Sequence, residues 1–384
     1  MGIKRLLKSK SFDEYVIVSA VIISFLPFYL SIVFIPLSAI YIIAKQKTRE
    51  IVFSDKSSIL LIIFTVLTLV TGIVNENWFG AGCSIFCFSI IVIMQFSRTT
   101  MTTVLFEKLL NICCLLSAAA TGSAITEKFV HVFFYENNSC YRCYAYFFNP
   151  NYMGTMLAIS IIICAYKVIT KSGSKFFFYS IATFDLIGVY LSGSMFVWVA
   201  IFIGVSVLLI LHHEHHMLSL FLLLAGIMCI IIATTPEIVP RLRETTLTTD
   251  NRISIWKTSI HAIGDSPLFG KGFFTYFHIQ PTIEGSYPTQ HAHNLFIDSI
   301  LSYGIIGSFV GILYFSSFFA SVAKCHEKLK NNKISGFIIA LSVAILVHSM
   351  IDLTLLWFQT GLLFAVILGG IGVEEKRLLR NSQK

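Results

Sequence analysis

Residues 217–234 read MLSLFLLLAGIMCIIIAT, a run without a charged side chain. An α-helix needs about 20 such residues to cross roughly 30 Å of hydrocarbon. Comparable apolar runs recur along the whole chain and are separated by short segments that carry charge. Because irregular backbone cannot face lipid, we expect these runs to be helices. The pattern predicts an all-α, polytopic membrane protein.

The composition excludes a soluble globular protein of 384 residues. Hydrophobic residues make up 56% of the chain and charged residues only 12%, and the mean hydropathy is +0.80. Such a chain cannot cover itself with polar surface. We predict twelve transmembrane helices over residues 13–27, 29–45, 58–74, 80–97, 107–126, 149–169, 175–192, 195–211, 217–234, 302–323, 334–351 and 354–373.

The chain shows no internal repeat, and we predict a single transmembrane domain over residues 1–384. One long extracytoplasmic loop, residues 235–292, joins spans nine and ten. If the N-terminus is cytoplasmic, both termini are, and 21 of the 28 Lys and Arg residues fall on the cytoplasmic side. This matches the positive-inside rule. The net charge of +8 follows largely from this asymmetry, so it does not call for a nucleic-acid partner.

The long loop ends in His291-Ala292-His293-Asn294, where water meets the membrane. Histidine is the side chain best suited to proton transfer near neutral pH. The motif therefore suggests chemistry on a lipid-carried substrate. The alternative is that His293 only caps the helix that starts near Asn294.

A second polar motif lies earlier in the loop. Asp250-Asn251 predicts the N-cap of an amphipathic helix along the interface, with Ile253, Trp256 and Ile260 on one face. Arg252 in this helix either binds substrate or extends to lipid phosphates. Trp256 is more typical of an interface anchor than of a sugar-binding platform.

Taken together, these motifs resemble the signature of the O-antigen ligase and polysaccharide polymerase superfamily. The resemblance rests on Arg252 with Trp256, on Ser266-Pro-Leu-Phe-Gly-Lys-Gly272, and on His291-Ala-His293-Asn294 followed by Gly304 and Gly307. It implies a glycosyltransferase of the bacterial plasma membrane that needs no metal or other cofactor. The donor would be a glycan linked to undecaprenyl pyrophosphate, and an acceptor sugar hydroxyl would attack it. A flippase and a chain-length regulator are the implied protein partners.

The resemblance also implies roles for individual residues. His293 would be the general base, and the substrate-binding residues would be His291, Asn294, Arg252, Lys271, Arg241 and Arg243. Many members carry an Arg after Ser at the outer end of the eighth span, whereas this chain has Ser192-Gly-Ser-Met195. The basic residues that could replace it are Arg142, Arg241, Arg243 and Lys271.

Polymerase and ligase differ only in the acceptor. Phe148-Asn149-Pro150-Asn151 before the sixth span resembles many polymerases of the superfamily and favours that activity. A secondary transporter is the alternative from another class, and Asp185 inside the seventh span would then be its critical residue. Transporters usually show related halves and interrupted helices, which this sequence lacks.

Two clusters could suggest metal binding. His212-His-Glu-His-His216 falls in a tight cytoplasmic turn, where adjacent ligands rarely converge on one ion. Cys140 and Cys143 form a single CxxC without a second pair, and a disulfide between them is left open. We predict no functional metal.

Overall fold

The computed structural model describes residues 12–134, 141–238, 245–329 and 332–383. These residues form helices and turns and contain no β-strand, which confirms the all-α prediction. The α-helices are α1 (Phe12–Ser24), α2 (Phe28–Ala44), α3 (Gln46–Val52), α4 (Ser58–Val74), α5 (Trp78–Thr100), α6 (Thr103–Phe134), α7 (Pro150–Ile169), α8 (Lys175–Ser192), α9 (Met195–Leu211), α10 (His215–Thr234), α11 (Thr245–Ile263), α12 (Thr275–Ile279), α13 (Leu295–Lys328), α14 (Lys333–Ser349), α15 (Phe358–Leu368) and α16 (Gly372–Ser382).

A helix lies at each of the twelve apolar segments of the sequence. Among the described residues, five helices are long and apolar enough to cross a membrane, namely α5, α6, α7, α10 and α13. A sixth span is possible if α2 and α3 count as one, although they are bent by 100°. The helices support a membrane protein, while the number of twelve spans stays a prediction.

Helix α7 occupies the centre of the bundle, and nearly all its residues from Tyr152 to Ile169 are buried. It packs on α8 and α9, whereas α10 has no buried residue and lies at the periphery. Asn149 caps α7 by accepting a hydrogen bond from the Asn151 amide at 2.8 Å, and Pro150 occupies the first turn. This cap places Asn151 at the end of the bundle that carries the long loop.

The loop before α13 contains the helices α11 and α12. Helix α11 begins at Thr245, several residues before the predicted cap at Asp250. Ile253 and Ile260 of the predicted apolar face are exposed at the protein surface, so their contact with the membrane stays a prediction. The buried face instead carries Ile255 and Ala262, which belong to a small core with residues of α12 and α13. A second apolar face of α11 therefore packs on protein.

Gly304 interrupts α13 with a left-handed backbone, φ 65° and ψ −177°. The two amides that follow it donate to the 266–272 segment, Ile305 to the Pro267 carbonyl at 2.9 Å and Ile306 to the Leu268 carbonyl at 3.0 Å. A Cβ at position 304 would lie 2.3 Å from the Leu268 backbone. Only glycine fits both the dihedral angles and the close approach. The glycine of the motif therefore fixes the long loop on the bundle.

Candidate active site

His293 lies directly before α13 in a left-handed conformation, φ 51°. The next residue, Asn294, caps the helix by accepting hydrogen bonds from the amides of Phe296 at 3.0 Å and Ile297 at 3.1 Å. The Asn294 amide also donates to the Met350 carbonyl at 2.9 Å. Asn294 thus joins the end of the long loop to the end of α14, and the helix cap belongs to Asn294 rather than to His293.

Both ring nitrogens of His293 are hydrogen-bonded. Nδ1 lies 2.9 Å from Asp352 Oδ1, and Nε2 lies 2.9 Å from Thr289 Oγ1. A carboxylate can only accept, so this network assigns the proton to Nδ1. In the neutral form of the ring, Nε2 then has no proton and accepts from the Thr289 hydroxyl. A neutral imidazole with a free lone pair on Nε2 is the form that a general base requires.

Asp352 lies in the turn between α14 and α15 and is 3% exposed. Burial raises the pKa of this carboxyl, but the charge of His293 and its hydrogen bond, with further contributions from His291 and His348, hold that pKa well below its usual range. The second carboxylate oxygen, Oδ2, accepts a hydrogen bond from the side-chain amide of Asn151. The carboxylate is therefore ionised and held on both sides.

A chain of contacts continues from Asn151 to the α8–α9 turn. The Arg142 guanidinium donates through Nη2 to Asn151 Oδ1 and through Nε to the Ser192 carbonyl at 2.8 Å. Arg142 is therefore two hydrogen bonds away from Asp352, and it contacts the turn that carries Ser192-Gly-Ser-Met195. Of the basic residues considered as the replacement, two are described: Arg142 contacts this turn, whereas Lys271 pairs with Asp265.

His291 packs beside His293, with ring centroids 4.4 Å apart. Its Nδ1 accepts from the His293 amide at 3.2 Å, and its Nε2 lies 3.7 Å from Asp352 Oδ1. Burial and the neighbouring His293 lower the pKa of His291 to about 3, although Asp352 opposes this shift. At neutral pH His291 is an uncharged side chain that supports His293, which agrees better with an orienting role than with substrate contact.

The ligand atoms of His291, His293 and Asp352 all lie within 4.8 Å of one another, so this cluster could hold a metal ion. The sequence predicted no metal, and the motifs that drew attention to metal binding lie elsewhere. In the described geometry the contact between His293 and Asp352 is a hydrogen bond at 2.9 Å. Two ligand atoms that share an ion at about 2.0–2.2 Å lie roughly 3 to 3.5 Å apart, so this spacing is close to that of a shared ion as well as that of a hydrogen bond.

Arg252 reaches the same end of the bundle from α11. Its guanidinium carbon lies 5.4 Å from the centroid of the Phe196 ring, in the first turn of α9. Ser194 is the N-cap residue of α9, but its side chain accepts no hydrogen bond from the backbone amides of the first turn. With Arg142 at Ser192 and Arg252 at Phe196, two guanidinium groups flank one helix N-terminus. This arrangement favours an anion.

The remaining predicted site residues lie elsewhere. Lys271 forms an exposed ion pair with Asp265 at 3.4 Å, and no hydrogen bond or ion pair joins it to His293 or Asp352 among the described residues. Arg241, Arg243 and Cys140 lie outside the described residues, so the structure tests neither the two arginines nor the disulfide. Cys143 is buried with a free thiol.

Residues 178–312 match the family model of O-antigen ligase. This segment is therefore similar to O-antigen ligase. It runs from α8 into α13, and it includes Arg252, Lys271, His291, His293 and Asn294. No curated protein matches the chain.

Three site residues of the chain lie outside the matched O-antigen ligase segment, namely Arg142, Asn151 and Asp352. In the sequence Asp352 follows His348 by four residues, a spacing at which the two side chains could interact directly. In the structure the Asp352 backbone amide donates to the His348 carbonyl at 3.0 Å, while the Asp352 carboxylate contacts His293. The sequence feature that could have indicated a role for Asp352 is its position as a single acidic residue between two apolar segments.

Acidification is expected to destabilise the protein through His291. Its folded pKa of about 3 lies below the ordinary value of 6.5, so the unfolded chain binds more protons in between. The stability contributed by neutral His291 is complete above pH 6.5 and is lost as the pH falls toward 3. We expect the melting temperature in detergent to fall over this window, and less so in His291→Gln. An equal fall in both proteins would contradict this assignment.

Proposed function

We propose that this chain is a membrane glycosyltransferase that polymerises the repeat units of a bacterial surface polysaccharide. The donor is a glycan on undecaprenyl pyrophosphate, and the acceptor is a sugar hydroxyl on a second repeat unit. The observation that carries the proposal is the His293 ring, whose Nδ1 is bound to Asp352 and whose Nε2 lies 2.9 Å from the Thr289 hydroxyl. It lies at the end of the loop in the O-antigen ligase domain.

The chemistry follows from the position of the lone pair on Nε2 of the neutral His293 ring. The acceptor hydroxyl takes the place of Thr289 at Nε2 and gives its proton to His293 as its oxygen attacks the anomeric carbon. The bond from that carbon to the pyrophosphate oxygen breaks, and undecaprenyl pyrophosphate leaves. Asp352 stabilises the imidazolium that forms. A single displacement inverts the anomeric configuration of the donor sugar.

The leaving pyrophosphate needs cations, and we assign it to the α9 N-terminus. Arg142 and Arg252 flank this helix end, and guanidinium groups bind phosphate oxygens in a bidentate manner. Developing negative charge on the leaving group is stabilised there as the glycosidic bond breaks. Lys271, Arg241 and Arg243 are further candidates for this anion, and Asn294 and His291 hold the base in place.

An apolar groove beside His293 supports a lipid-linked substrate. Its cavity volume is about 640 Å³, and α4, α5, α13, α14 and α15 contribute its walls. One end reaches Leu295 and Leu353, next to Asn294 and Asp352, and the wall from α13 continues to Phe319. The part of this wall between Gly304 and Phe319 is roughly 22 Å of helix, which covers most of the hydrocarbon core of a bilayer, about 30 Å thick. A polyprenyl chain fits such a groove.

Two alternatives remain for the experiment to separate. A ligase would transfer the same glycan to a terminal acceptor, and the polymerase is favoured by the resemblance of the Phe148-Asn149-Pro150-Asn151 motif to polymerases. A transporter would depend on Asp185. This carboxylate accepts hydrogen bonds from Ser117 at 2.7 Å and Thr121 at 3.0 Å inside the bundle, which supports a structural role.

Reconstitution tests the proposal. The purified protein in liposomes is given undecaprenyl-pyrophosphate-linked repeat units as its only substrate, with EDTA present. We expect a ladder of longer glycans, because one substrate supplies both donor and acceptor and the proposed base needs no metal. The products are resolved by length on a gel. Transfer only after addition of a terminal acceptor would indicate a ligase, and loss of transfer with EDTA, restored by a divalent metal, would assign a metal to the His291–His293–Asp352 cluster.

A further inference from the structure

We propose that Phe148, Trp357 and Tyr152 form a platform that binds a pyranose ring of the acceptor glycan beside His293. The proposal deepens the proposed function and rests on it for the identity of the acceptor. The stack comes from two separate parts of the chain, namely the segment that leads into α7 and the turn that leads into α15. All three aromatic residues lie outside the matched O-antigen ligase segment.

The three rings lie nearly parallel. Tyr152 and Trp357 have centroids 4.8 Å apart at an interplanar angle of 12°, and Phe148 and Trp357 have centroids 5.3 Å apart at 24°. The Trp357 indole Nε1 donates to Gln359 Oε1 at 2.9 Å, which fixes the indole ring. Tyr152 is buried, whereas Phe148 is 53% exposed. The stack is therefore anchored on one side and open at Phe148 on the other.

Three short connections join this stack to the proposed base. Tyr152 directly follows Asn151, which donates to Asp352. Trp357 follows Asp352 by five residues, through one short helical turn. The Tyr152 hydroxyl donates to Gln290 Oε1 at 3.4 Å, and the neighbouring Thr289 occupies His293 Nε2. The acceptor hydroxyl must replace Thr289, so the platform lies on the acceptor side of the base.

The chemistry of the stack fits a sugar. The face of an aromatic ring carries partial negative charge, and it attracts the slightly positive C–H bonds on one face of a pyranose. Polar groups that can bind sugar hydroxyls flank the stack, including Asn149 and Gln290. Interface aromatics also anchor helices in the headgroup layer. Trp78, 67% exposed at the start of α5 and at the same end of the bundle, is a residue of that kind and serves as a control.

The test measures the KM for acceptor in the reconstituted protein. The probe is one repeat unit as a short alkyl glycoside, which has no pyrophosphate and can act only as acceptor. We expect Trp357→Leu and Phe148→Leu to raise the KM for this acceptor about tenfold, with the KM for donor unchanged. Trp357→Phe, which retains a ring, should stay within about threefold of wild type, and Trp78→Leu should leave both constants unchanged. An effect of Trp357→Leu no larger than that of Trp78→Leu would overturn the platform.

A binding measurement separates failure of the platform from failure of the proposed function. In a variant in which Trp78, Trp198 and Trp256 are Phe, the remaining Trp357 reports directly on the stack. We expect the same glycoside to change the Trp357 fluorescence in a saturable manner, without any turnover. Binding without transfer would retain the platform and refute the polymerase. Transfer without a fluorescence change would retain the polymerase and refute the platform.

Discussion

Replacing His293 by alanine is expected to abolish polymer growth while the protein remains in the membrane at its normal level. A positioned base accelerates proton transfer by about 10² to 10⁴-fold, and here the lone pair on Nε2 is the group that is lost. The measurement is complementation of a strain that lacks the gene, with surface glycan resolved by length and protein detected by immunoblot. Single repeat units on the anchor, without longer chains, are the expected pattern.

The backbone at His293 requires a matched control, because a non-glycine residue with positive φ is strained. His213 provides one. It has a φ of 57°, close to the 51° of His293, and it lies in the turn between α9 and α10. His213→Ala should support normal glycan chains. His293→Asn, which tolerates the left-handed conformation better than Ala, should be as inactive as His293→Ala. Long chains made by either His293 variant would refute the base, and loss of function confined to Asp185→Asn would favour the transporter.

The fold was predictable from the sequence because apolar runs of membrane length have few alternatives. Segments such as 217–234 and 195–211 coincide with α10 and α9 nearly residue for residue. The orientation of α11 was not predictable from its own pattern. Its buried face depends on α12 and α13, which contribute the other half of that small core. Tertiary packing decided which apolar residues are buried.

The candidate site was predictable in part for a similar reason. His293 and Arg252 lie in local motifs, and a motif is visible within a few residues of sequence. Asp352 is an isolated polar residue 59 positions after His293, and Asn151 belongs to a separate motif 201 positions before Asp352. Only the packing of α7 against α14 and α15 brings them together. Their roles follow from the hydrogen bonds, which no local pattern contains.

Asparagine at position 352 is expected to reduce transfer about as strongly as loss of the base, by roughly 10² to 10⁴-fold. The carboxylate accepts from both His293 Nδ1 and the Asn151 amide. An amide has only one oxygen. If that oxygen faces His293, the NH₂ group of the new side chain points at the NH₂ group of Asn151, and two donors then face each other without an acceptor. If it faces Asn151, its NH₂ group meets Nδ1 and moves the ring proton to Nε2, where it blocks the base.

The hydrogen bonds of Asp352 predict that a second substitution restores activity. Combining Asp352→Asn with Asn151→Asp moves the carboxylate one step along the chain, so that Asp at 151 accepts from both Arg142 and the amide at 352. The amide oxygen then faces Nδ1, and the proton returns to that nitrogen. We expect the double variant to be at least about tenfold more active than Asp352→Asn, which corresponds to roughly 1.4 kcal/mol of transition-state stabilisation. The assay is the rate of transfer in liposomes.

The comparison distinguishes two roles for Asp352. If the double variant is no faster than Asp352→Asn, the negative charge beside the imidazole matters and the orientation of the ring proton does not. Asp265→Asn, at the exposed partner of Lys271, controls for the loss of one acid in the loop and should retain full activity. Because exposed ion pairs contribute little to stability, its melting temperature should also be unchanged. A recovery specific to the exchange between positions 151 and 352 would establish that these residues act through the tautomer of His293.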